Sequence, residues 1–150
     1  MKTVNKNGFI QINIVVRDIA AAAEKWALVL GIEKPEIRTV HLEGGPDYTY
    51  RGEPVSCELL VADIEMNGFV LELHQPVGGP SSFQEFLDKH GNGVHHIGFE
   101  VGSDRDEVIE HLGELGLDTN RTLGIYPGSS WTIVDGEDTL GVNLNIKPRR

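Results

Sequence analysis

Four side chains with polar, reactive groups lie at matching positions of the sequence. They are the amides of Gln11 and Asn145, the carboxylate of Glu72 and the imidazole of His96. Each lies in a strand-like segment whose alternate residues are apolar, so all four belong to the polar face of a strand. If the strands curl toward one another, these groups converge, which is typical of small-molecule sites. The alternative is the solvated face of a half-buried sheet.

The elements that must position these groups repeat along the chain. Gln11 and His96 are 85 positions apart, and so are Gly31 and Gly116, which lie where helices are expected to end. Each half contains a strand, then an aspartate that can cap a helix (Asp18 in the first half), then the helix and its glycine. A duplication explains this match, and two unrelated halves with similar periodicity are the alternative.

Each half continues with a predicted β-hairpin, at 58–74 in the first half and at 131–146 in the second. The sequence therefore predicts a single domain, 1–150, built from two β-α-β-β-β modules at about 8–76 and 93–147.

The connections between these elements are also marked in the sequence. Residues 77–92 are predicted to be a linker with a short helix, in which Ser82 and Glu85 have capping-box spacing. The first module has a longer insertion within 39–55, where glycine and proline residues are typical of loops.

Composition excludes several classes of function. The 150-residue chain carries 13 Lys and Arg against 23 Asp and Glu, and this net charge of −10 disfavours nucleic-acid binding. No apolar run is long enough to span a bilayer and no secretory signal is visible, so we expect no membrane partner. One cysteine, Cys57, excludes a disulfide scaffold. These features predict a cytoplasmic protein.

Three segments resemble the vicinal oxygen chelate superfamily, which comprises glyoxalases, epimerases and extradiol dioxygenases. They are 11–18 with the helix end at 29–31, then 70–76, and finally 86–101, which is similar to methylmalonyl-CoA epimerases. The likeness covers residues 9–147. It implies an α+β fold in which two βαβββ modules, related by pseudo-two-fold symmetry, form an incomplete barrel with a polar cleft around a divalent metal.

The resemblance also implies a set of site residues. Position by position, the metal ligands are Gln11, Glu72, His96 and Asn145, which would hold Zn, Ni, Co, Mn or Fe weakly because one of the four is charged. Asn145 departs from the family pattern, which has a glutamate at this place that binds the metal and carries the substrate proton. An amide cannot take a proton, so Asn145 cannot fill the second role. Glu58 falls where epimerases have another proposed carboxylate base, and the alternative is an exposed glutamate at a strand start.

Other polar residues are expected around this site. Four are predicted to contact substrate: Asn13, His74, Asn143 and Tyr126. His74 is also an alternative fourth ligand. Strand alternation predicts that His95 faces away from the pocket as a packed histidine. Three further histidines are expected at the surface: His41, His90 and His111.

These features lead to one leading hypothesis and two alternatives. The first is a glyoxalase-like or epimerase-like, metal-assisted isomerase, epimerase or lyase that acts on a small carbonyl compound or thioester through an enolate, with Glu58 moving the proton. The second is a non-catalytic small-molecule binding protein of the same fold, such as an antibiotic-sequestering protein. The third is an Fe-dependent dioxygenase. In each case we expect a small-molecule ligand and a homodimer.

Overall fold

The structure is a computed structural model that describes residues 3–126 and 129–148, and these residues form nine strands and four helices. The strands are β1 (Phe9–Val15), β2 (Arg38–Leu42), β3 (Tyr48–Thr49), β4 (Cys57–Glu65), β5 (Val70–Gly78), β6 (Gly93–Glu100), β7 (Asp118–Tyr126), β8 (Ser129–Asp135) and β9 (Asn143–Lys147). The helices are α1 (Ile19–Leu30), α2 (Ser82–His90), α3 (Arg105–Glu114) and α4 (Glu137–Leu140). None of these described helices is long and apolar enough to cross a membrane.

The nine described strands belong to one sheet, in the order β2-β4-β5-β1-β6-β9-β8-β7-β3. β1 pairs in parallel with β5, β6 pairs in parallel with β9, and the antiparallel pair β1–β6 joins the two halves. The four central strands therefore come from the beginning and the end of the two repeats. The mixed α+β fold with a barrel-like sheet confirms the predicted fold class.

β3 brings the two ends of the sheet together. It lies in the connection between β2 and β4, at one end of the strand order, but pairs with β7 at the other end. Tyr48 of β3 is buried and packs with the inner core of the barrel. The insertion that the sequence indicates within 39–55 therefore contains β3, and β2, which overlaps its start, is the strand expected between the helix and the hairpin of the first module.

α1 begins and ends at the residues that the sequence predicts. The Asp18 side chain accepts a hydrogen bond from the backbone N–H of Ala21, and Gly31 follows the helix with φ of 66°, a conformation that costs glycine little. Ile19 and Ala23 pack with Leu73 on one face of the sheet. Because Leu73 alternates with Glu72 along β5, the polar residues of that strand face the other side.

α2 covers the opposite face of the sheet, on which the polar residues lie. Its Phe83 and Phe86 pack with Val15 and with apolar residues of β4. The helix begins one residue earlier than predicted, because the hydroxyl of Ser81, not Ser82, accepts a hydrogen bond from the backbone N–H of Gln84. α2 thus closes the inner side of the barrel next to the predicted site.

α3 covers the second half of the sheet as α1 covers the first. Val108 and Leu112 pack with Leu144 and Ile146 of β9, so the alternate residues of β9 face the barrel interior. His111 of α3 is buried at 8% exposure, so the prediction that it lies at the surface was wrong. His41 and His90 are exposed, as expected.

Candidate functional site

The structure brings the four matching side chains together at the centre of the sheet. Oε1 of Gln11 lies 3.0 Å from Nε2 of His96 and 2.9 Å from Nδ2 of Asn145. Oε1 of Glu72 lies 3.7 Å from the same Nε2 of His96. We call Gln11, Glu72, His96 and Asn145 the central cluster. Gln11, His96 and Asn145 are at most 4% exposed, while the Glu72 side chain is 19% exposed.

The central cluster forms because its four strands are neighbours and because one position beside it lacks a side chain. Gln11 of β1 is paired with Gly98 of β6, and Gly98 is paired with Asn145 of β9. A Cβ atom at Gly98 would lie 2.2 Å from Cγ of Gln11. Glycine at this position therefore lets the Gln11 side chain cross β6 and meet Asn145.

A backbone group fixes the orientation of the Asn145 amide. Oδ1 of Asn145 accepts a hydrogen bond from the backbone N–H of Thr132 at 3.2 Å. A flipped amide would place its NH₂ against that N–H, and two donors cannot bond to each other. Asn145 therefore presents N–H groups to the central cluster, and its Nδ2 donates to Oε1 of Gln11. The Gln11 oxygen is in turn held as an acceptor.

Glu72 is a buried carboxylate in a mixed electrostatic environment. Burial, reinforced by the nearby carboxylate of Asp63, raises the pKa of Glu72 to about 7. A hydrogen bond from Nδ2 of Asn13 at 3.3 Å and the charges of Lys147 and Arg38 act in the opposite direction. Glu72 therefore changes its charge near neutral pH in the metal-free protein.

Three histidines of this region are neutral at the same pH: His95 and His96, which are buried, and His74, which is partly buried. Burial lowers the pKa of His74 to about 4 and the pKa of His95 to about 3, and it holds the pKa of His96 well below its ordinary value. Nε2 of His74 lies 4.0 Å from Oε1 of Glu72, and its Nδ1 is buried without a hydrogen-bond partner among the described residues.

His95 does not face away from the site, contrary to the prediction from strand alternation. The pairing of β1 with β6 shifts between Asn13 and Ile14, and this irregularity makes His95 an extra residue. The ring of His95 contacts Phe83 and Phe86 of α2, and its Nδ1 lies 2.8 Å from Nδ1 of His96. His95 is buried as predicted, but it is buried against the central cluster.

Lys147 and Asp63 are charged residues of this region that the sequence reasoning missed. Lys147 is 5% exposed, and its charge acts on both Glu72 and His96. It lies two residues after Asn145 on β9, so the same alternation that identified Asn145 also indicates Lys147. Asp63 is paired with Glu72 across β4 and β5. A lysine and a second carboxylate therefore act electrostatically on the central cluster from neighbouring positions.

The remaining predicted site residues are in different surroundings. The amide of Asn143 accepts from the backbone N–H of Gly136 and donates to Oε1 of Glu137, so it supports the β8–β9 connection. The Glu58 side chain is 52% exposed and lies 3.3 Å from Nδ1 of His41, at the edge of the sheet. The side chain of Tyr126 lies outside the described residues.

A cavity of about 260 Å³ lies between α2 and the β8–β9 connection. His95 and Asn143 line it, so His95 separates this cavity from the central cluster. Ion pairs cross its rim: Arg51 bonds Glu85 of α2 at 2.7 Å and Asp135 of β8 at 3.3 Å. Through Arg51, these ion pairs link α2 to β8 and help to hold the helix over the polar face of the sheet.

The fold and the central cluster define a class of protein, and the comparisons with known proteins agree. Residues 10–132 match the model of the Glyoxalase/Bleomycin resistance protein/Dioxygenase superfamily. The chain therefore belongs to this superfamily, as the resemblance implied. No curated protein shows a significant match to the chain.

Solved structures with the same fold include a hypothetical protein and epimerases. The hypothetical protein, from Bacillus halodurans C-125, is 19% identical with a TM-score of 0.64, and the match covers 95% of this chain and 94% of that one. Methylmalonyl-CoA epimerase from Mycobacterium tuberculosis is 22% identical with a TM-score of 0.59, over 100% and 92% of the two chains. A Streptomyces coelicolor methylmalonyl-CoA epimerase variant in complex with 2-nitronate-propionyl-CoA is 21% identical with a TM-score of 0.56, over 99% and 98%. At these identities the likeness shows the fold.

Members of the superfamily often use divalent metals, and the donor set fits such an ion in part. Glu72 and His96 offer a carboxylate and an imidazole, and the inward-facing oxygen of Gln11 is a third donor. Asn145 does not fit, because its oxygen is used by Thr132 and it presents N–H groups. The described residues contain no group of three or more His, Cys, Asp or Glu side chains that could hold a metal. A metal here would depend on the Gln11 amide.

Proposed function

We propose that this protein is a metal-assisted isomerase, epimerase or lyase that acts on a small carbonyl compound or thioester through an enolate. The observation that carries this proposal is the convergence of Gln11, Glu72 and His96. Oε1 of Gln11 lies 3.0 Å from Nε2 of His96, and Oε1 of Glu72 lies 3.7 Å from the same atom. The epimerases that share the fold favour a CoA thioester as the first substrate class to test.

Gln11, Glu72 and His96 would hold the metal in this proposal, and Asn145 would not be a ligand. When bound, a divalent metal polarises a substrate carbonyl and stabilises the enolate. Asn145 keeps the Gln11 oxygen pointed at the site through its hydrogen bond of 2.9 Å. The positive charge of Lys147, which acts on both Glu72 and His96, would favour an anionic substrate or enolate oxygen at this site.

Two carboxylates, Glu58 and Glu72, are the candidates for moving the substrate proton. Glu58, the base expected from the sequence, is half exposed and lies 3.3 Å from His41 at the sheet edge. Glu72 is the carboxylate within the central cluster, where the proposal assigns it to the metal, so Glu72→Gln removes a metal ligand as well as any proton transfer by this group. Both carboxylates therefore belong in the test.

A non-catalytic binding protein of the same fold is the second candidate. Two observations favour it: Asn145 supplies N–H groups where a proton carrier is expected, and the Glu58 side chain is exposed. Buried hydrogen-bonding groups without a base can bind a polar ligand without changing it.

Metal content and proton exchange test the two candidates. Purified protein should contain a divalent metal that is lost in His96→Ala. In deuterated water, a CoA thioester with an acidic α-proton should take up deuterium in the presence of the wild type, and uptake should fall in His96→Ala and in Glu72→Gln.

Glu58→Gln tests the proposed base, with Glu65→Gln, an exposed carboxylate of the same strand, as the matched control. Loss of exchange in Glu58→Gln alone supports Glu58 as the base. Equal exchange in the wild type and His96→Ala contradicts a role for the central cluster. Binding of the thioester without any exchange favours the binding protein.

A further inference from the structure

A bulge in the β1–β6 pairing turns two consecutive histidines toward the same side. Asn13 is paired with His96 and Ile14 with Val94, so three residues of β6 lie opposite two of β1. The rings of His95 and His96 both contact Phe83, and their Nδ1 atoms are 2.8 Å apart. In a regular strand, consecutive side chains point to opposite faces and cannot meet in this way.

These two rings form a chain of hydrogen-bond positions with an acceptor oxygen at each end. The backbone of Ser82 lies close enough to the ring of His95 to favour the protonated ring, which identifies the Ser82 carbonyl as the acceptor available to this end of the pair. Since Nδ1 of His95 faces His96, the atom left for Ser82 is Nε2. At the other end, Nε2 of His96 faces the Gln11 oxygen at 3.0 Å. The chain has three positions for a proton, but two neutral imidazoles supply two.

Two arrangements fill two of these positions and keep a proton between the two Nδ1 atoms, which their separation of 2.8 Å requires because two lone pairs would repel at that distance. In the first, His95 donates from Nδ1 to His96, and His96 donates from Nε2 to Gln11. In the second, His96 donates from Nδ1 to His95, and His95 donates from Nε2 to the Ser82 carbonyl. Only the second arrangement leaves the lone pair of His96 Nε2 free, and a bound cation requires that lone pair.

We infer that His95 is a positioning residue for the proposed metal site, and that the His95–His96 pair exchanges tautomers when His96 binds a divalent cation. The metal-free pair adopts the first arrangement, which satisfies the Gln11 oxygen, and the cation-bound pair adopts the second. The pair keeps two protons throughout, so His96 becomes a ligand without releasing a proton from a buried position. The inference rests on the proposed function, because it requires a cation at His96.

The exchange gives His95 a role that a merely packed side chain would not have. When His96 binds a cation, its Nδ1–H is buried at 2% residue exposure and needs an acceptor. His95 supplies this acceptor, and the Ser82 carbonyl fixes the matching tautomer of His95. Phe83 and Phe86 hold the His95 ring from the other side. Removal of the imidazole should therefore weaken cation binding.

Histidine tautomers and Zn²⁺ affinity, both measured on the full chain, test this inference. Nitrogen-detected NMR of isotope-labelled histidines should show the His96 proton on Nε2 without metal and on Nδ1 after Zn²⁺ is added. His95→Phe should weaken Zn²⁺ binding roughly 10-fold to 100-fold. His95→Gln keeps one acceptor and one donor and should recover part of the affinity. His111→Phe, which removes a buried imidazole from α3, is the control and should bind Zn²⁺ as the wild type does.

The possible failures can be told apart. If Zn²⁺ binds equally well to the wild type and to His95→Phe, or if the His96 tautomer is the same with and without Zn²⁺, the inference is wrong while the proposed metal site stands. If the wild type binds no Zn²⁺, both are wrong. If circular dichroism shows His95→Phe to be unfolded, the affinity of His95→Gln and the wild-type tautomers decide the question.

Discussion

At the scale of single residues, the orientation of one amide determines what the central cluster can bind. The backbone N–H of Thr132 donates to the oxygen of Asn145, so the cluster receives N–H groups from a position where the family resemblance implies a carboxylate. An aspartate at this position would keep the bond to Thr132 with one oxygen and direct the other, negatively charged, toward Gln11. The charge of the cluster would then fall by one unit without a change of side-chain length.

We therefore expect Asn145→Asp to bind Zn²⁺ more tightly than the wild type, by at least about tenfold, because an anionic oxygen replaces an N–H group. Competition with a metal indicator dye measures the affinity. Asn92→Asp is the matched control, since Asn92 also accepts a backbone hydrogen bond, from Arg17, but is exposed. Equal affinities for the wild type and Asn145→Asp would show that position 145 does not face a bound metal.

Glu72 links the electrostatics of the cluster to the stability of the fold. Its pKa is raised from 4.5 to about 7, so the folded state holds the carboxyl proton more tightly than the unfolded state does. The stability that this proton contributes is fully present below about pH 4.5 and is lost as the pH rises toward 7. The lost stability is on the order of 3 kcal/mol for a shift of this size. The buried histidines have lowered pKa values, so they act in the opposite direction and destabilise the fold in acid.

Glu72→Gln separates the contribution of this carboxylate to the pH dependence of stability from that of the histidines, because the variant keeps all the histidines. Relative to the wild type, the free energy of unfolding of Glu72→Gln should increase by about 2.5 kcal/mol between pH 5 and pH 8, with metal removed by a chelator. Urea unfolding at several pH values measures this difference. Glu65→Gln should show no such trend. A pH-independent difference for Glu72→Gln would mean that Glu72 titrates normally in the folded state.

The residue types of the site could be predicted from the sequence, but their orientations could not. Strand alternation and the repeat identified Gln11, Glu72, His96 and Asn145, and the structure brings all four together. The direction of the Asn145 amide depends on Thr132, a backbone contact from another strand that no periodicity reveals. The roles given to these residues stay predictions until the experiments above are done.

At the scale of secondary structure elements, α2 determines access to the polar face of the sheet. Phe83 packs against the rings of His74, His95 and His96, so the position of the helix sets the surroundings of all three. The helix is held by its N-terminal cap at Ser81 and by the ion pair between Glu85 and Arg51. The stability of α2 therefore bears directly on the site.

The two adjacent serines at the start of α2 should respond differently to removal of the hydroxyl. Ser81→Ala should lower the unfolding free energy by about 1 kcal/mol, because the backbone N–H of Gln84 loses its acceptor. Ser82→Ala should be neutral or slightly stabilising, since the Ser82 hydroxyl is buried without a partner among the described residues. Urea unfolding compares the two. A larger loss in Ser82→Ala would place the cap at the residue that the sequence predicted.

Local signals predicted elements better than non-local ones. Asp18 and Gly31 marked the ends of α1 because both act on their own helix. β3 has two residues, and its pairing partner β7 lies far along the chain, so no local pattern indicated it. The bulge at His95 depends on how β6 meets β1, and it reversed the direction expected from alternation. Register and bulges are properties of paired strands, and a single strand sequence does not contain them.

At the scale of the whole molecule, the pairing of β3 with β7 makes the sheet barrel-like. Tyr48 anchors this contact: it is 2% exposed, its hydroxyl donates to the carbonyl of Pro80 at 3.1 Å, and its ring lies 6.0 Å from that of Trp131. The same ring cluster includes Phe83 of α2. Closure of the sheet and coverage of the site are therefore connected through one apolar core.

Substitutions of Tyr48 separate the apolar contribution from the hydrogen bond. Tyr48→Ala should lower the unfolding free energy by about 3–5 kcal/mol, as expected for loss of a large buried ring, whereas Tyr48→Phe should cost about 1 kcal/mol. Hydrogen exchange should report local opening in Tyr48→Ala, with faster exchange at the amide of Ile125, whose N–H donates to the carbonyl of Asp47 immediately before β3. The Ile12 and Leu71 amides in the central strands are the internal control and should follow only the global loss of stability. If β7 and the central strands exchange faster by the same factor, β3 does not close the sheet as an independent contact, and Tyr48 acts through the core alone.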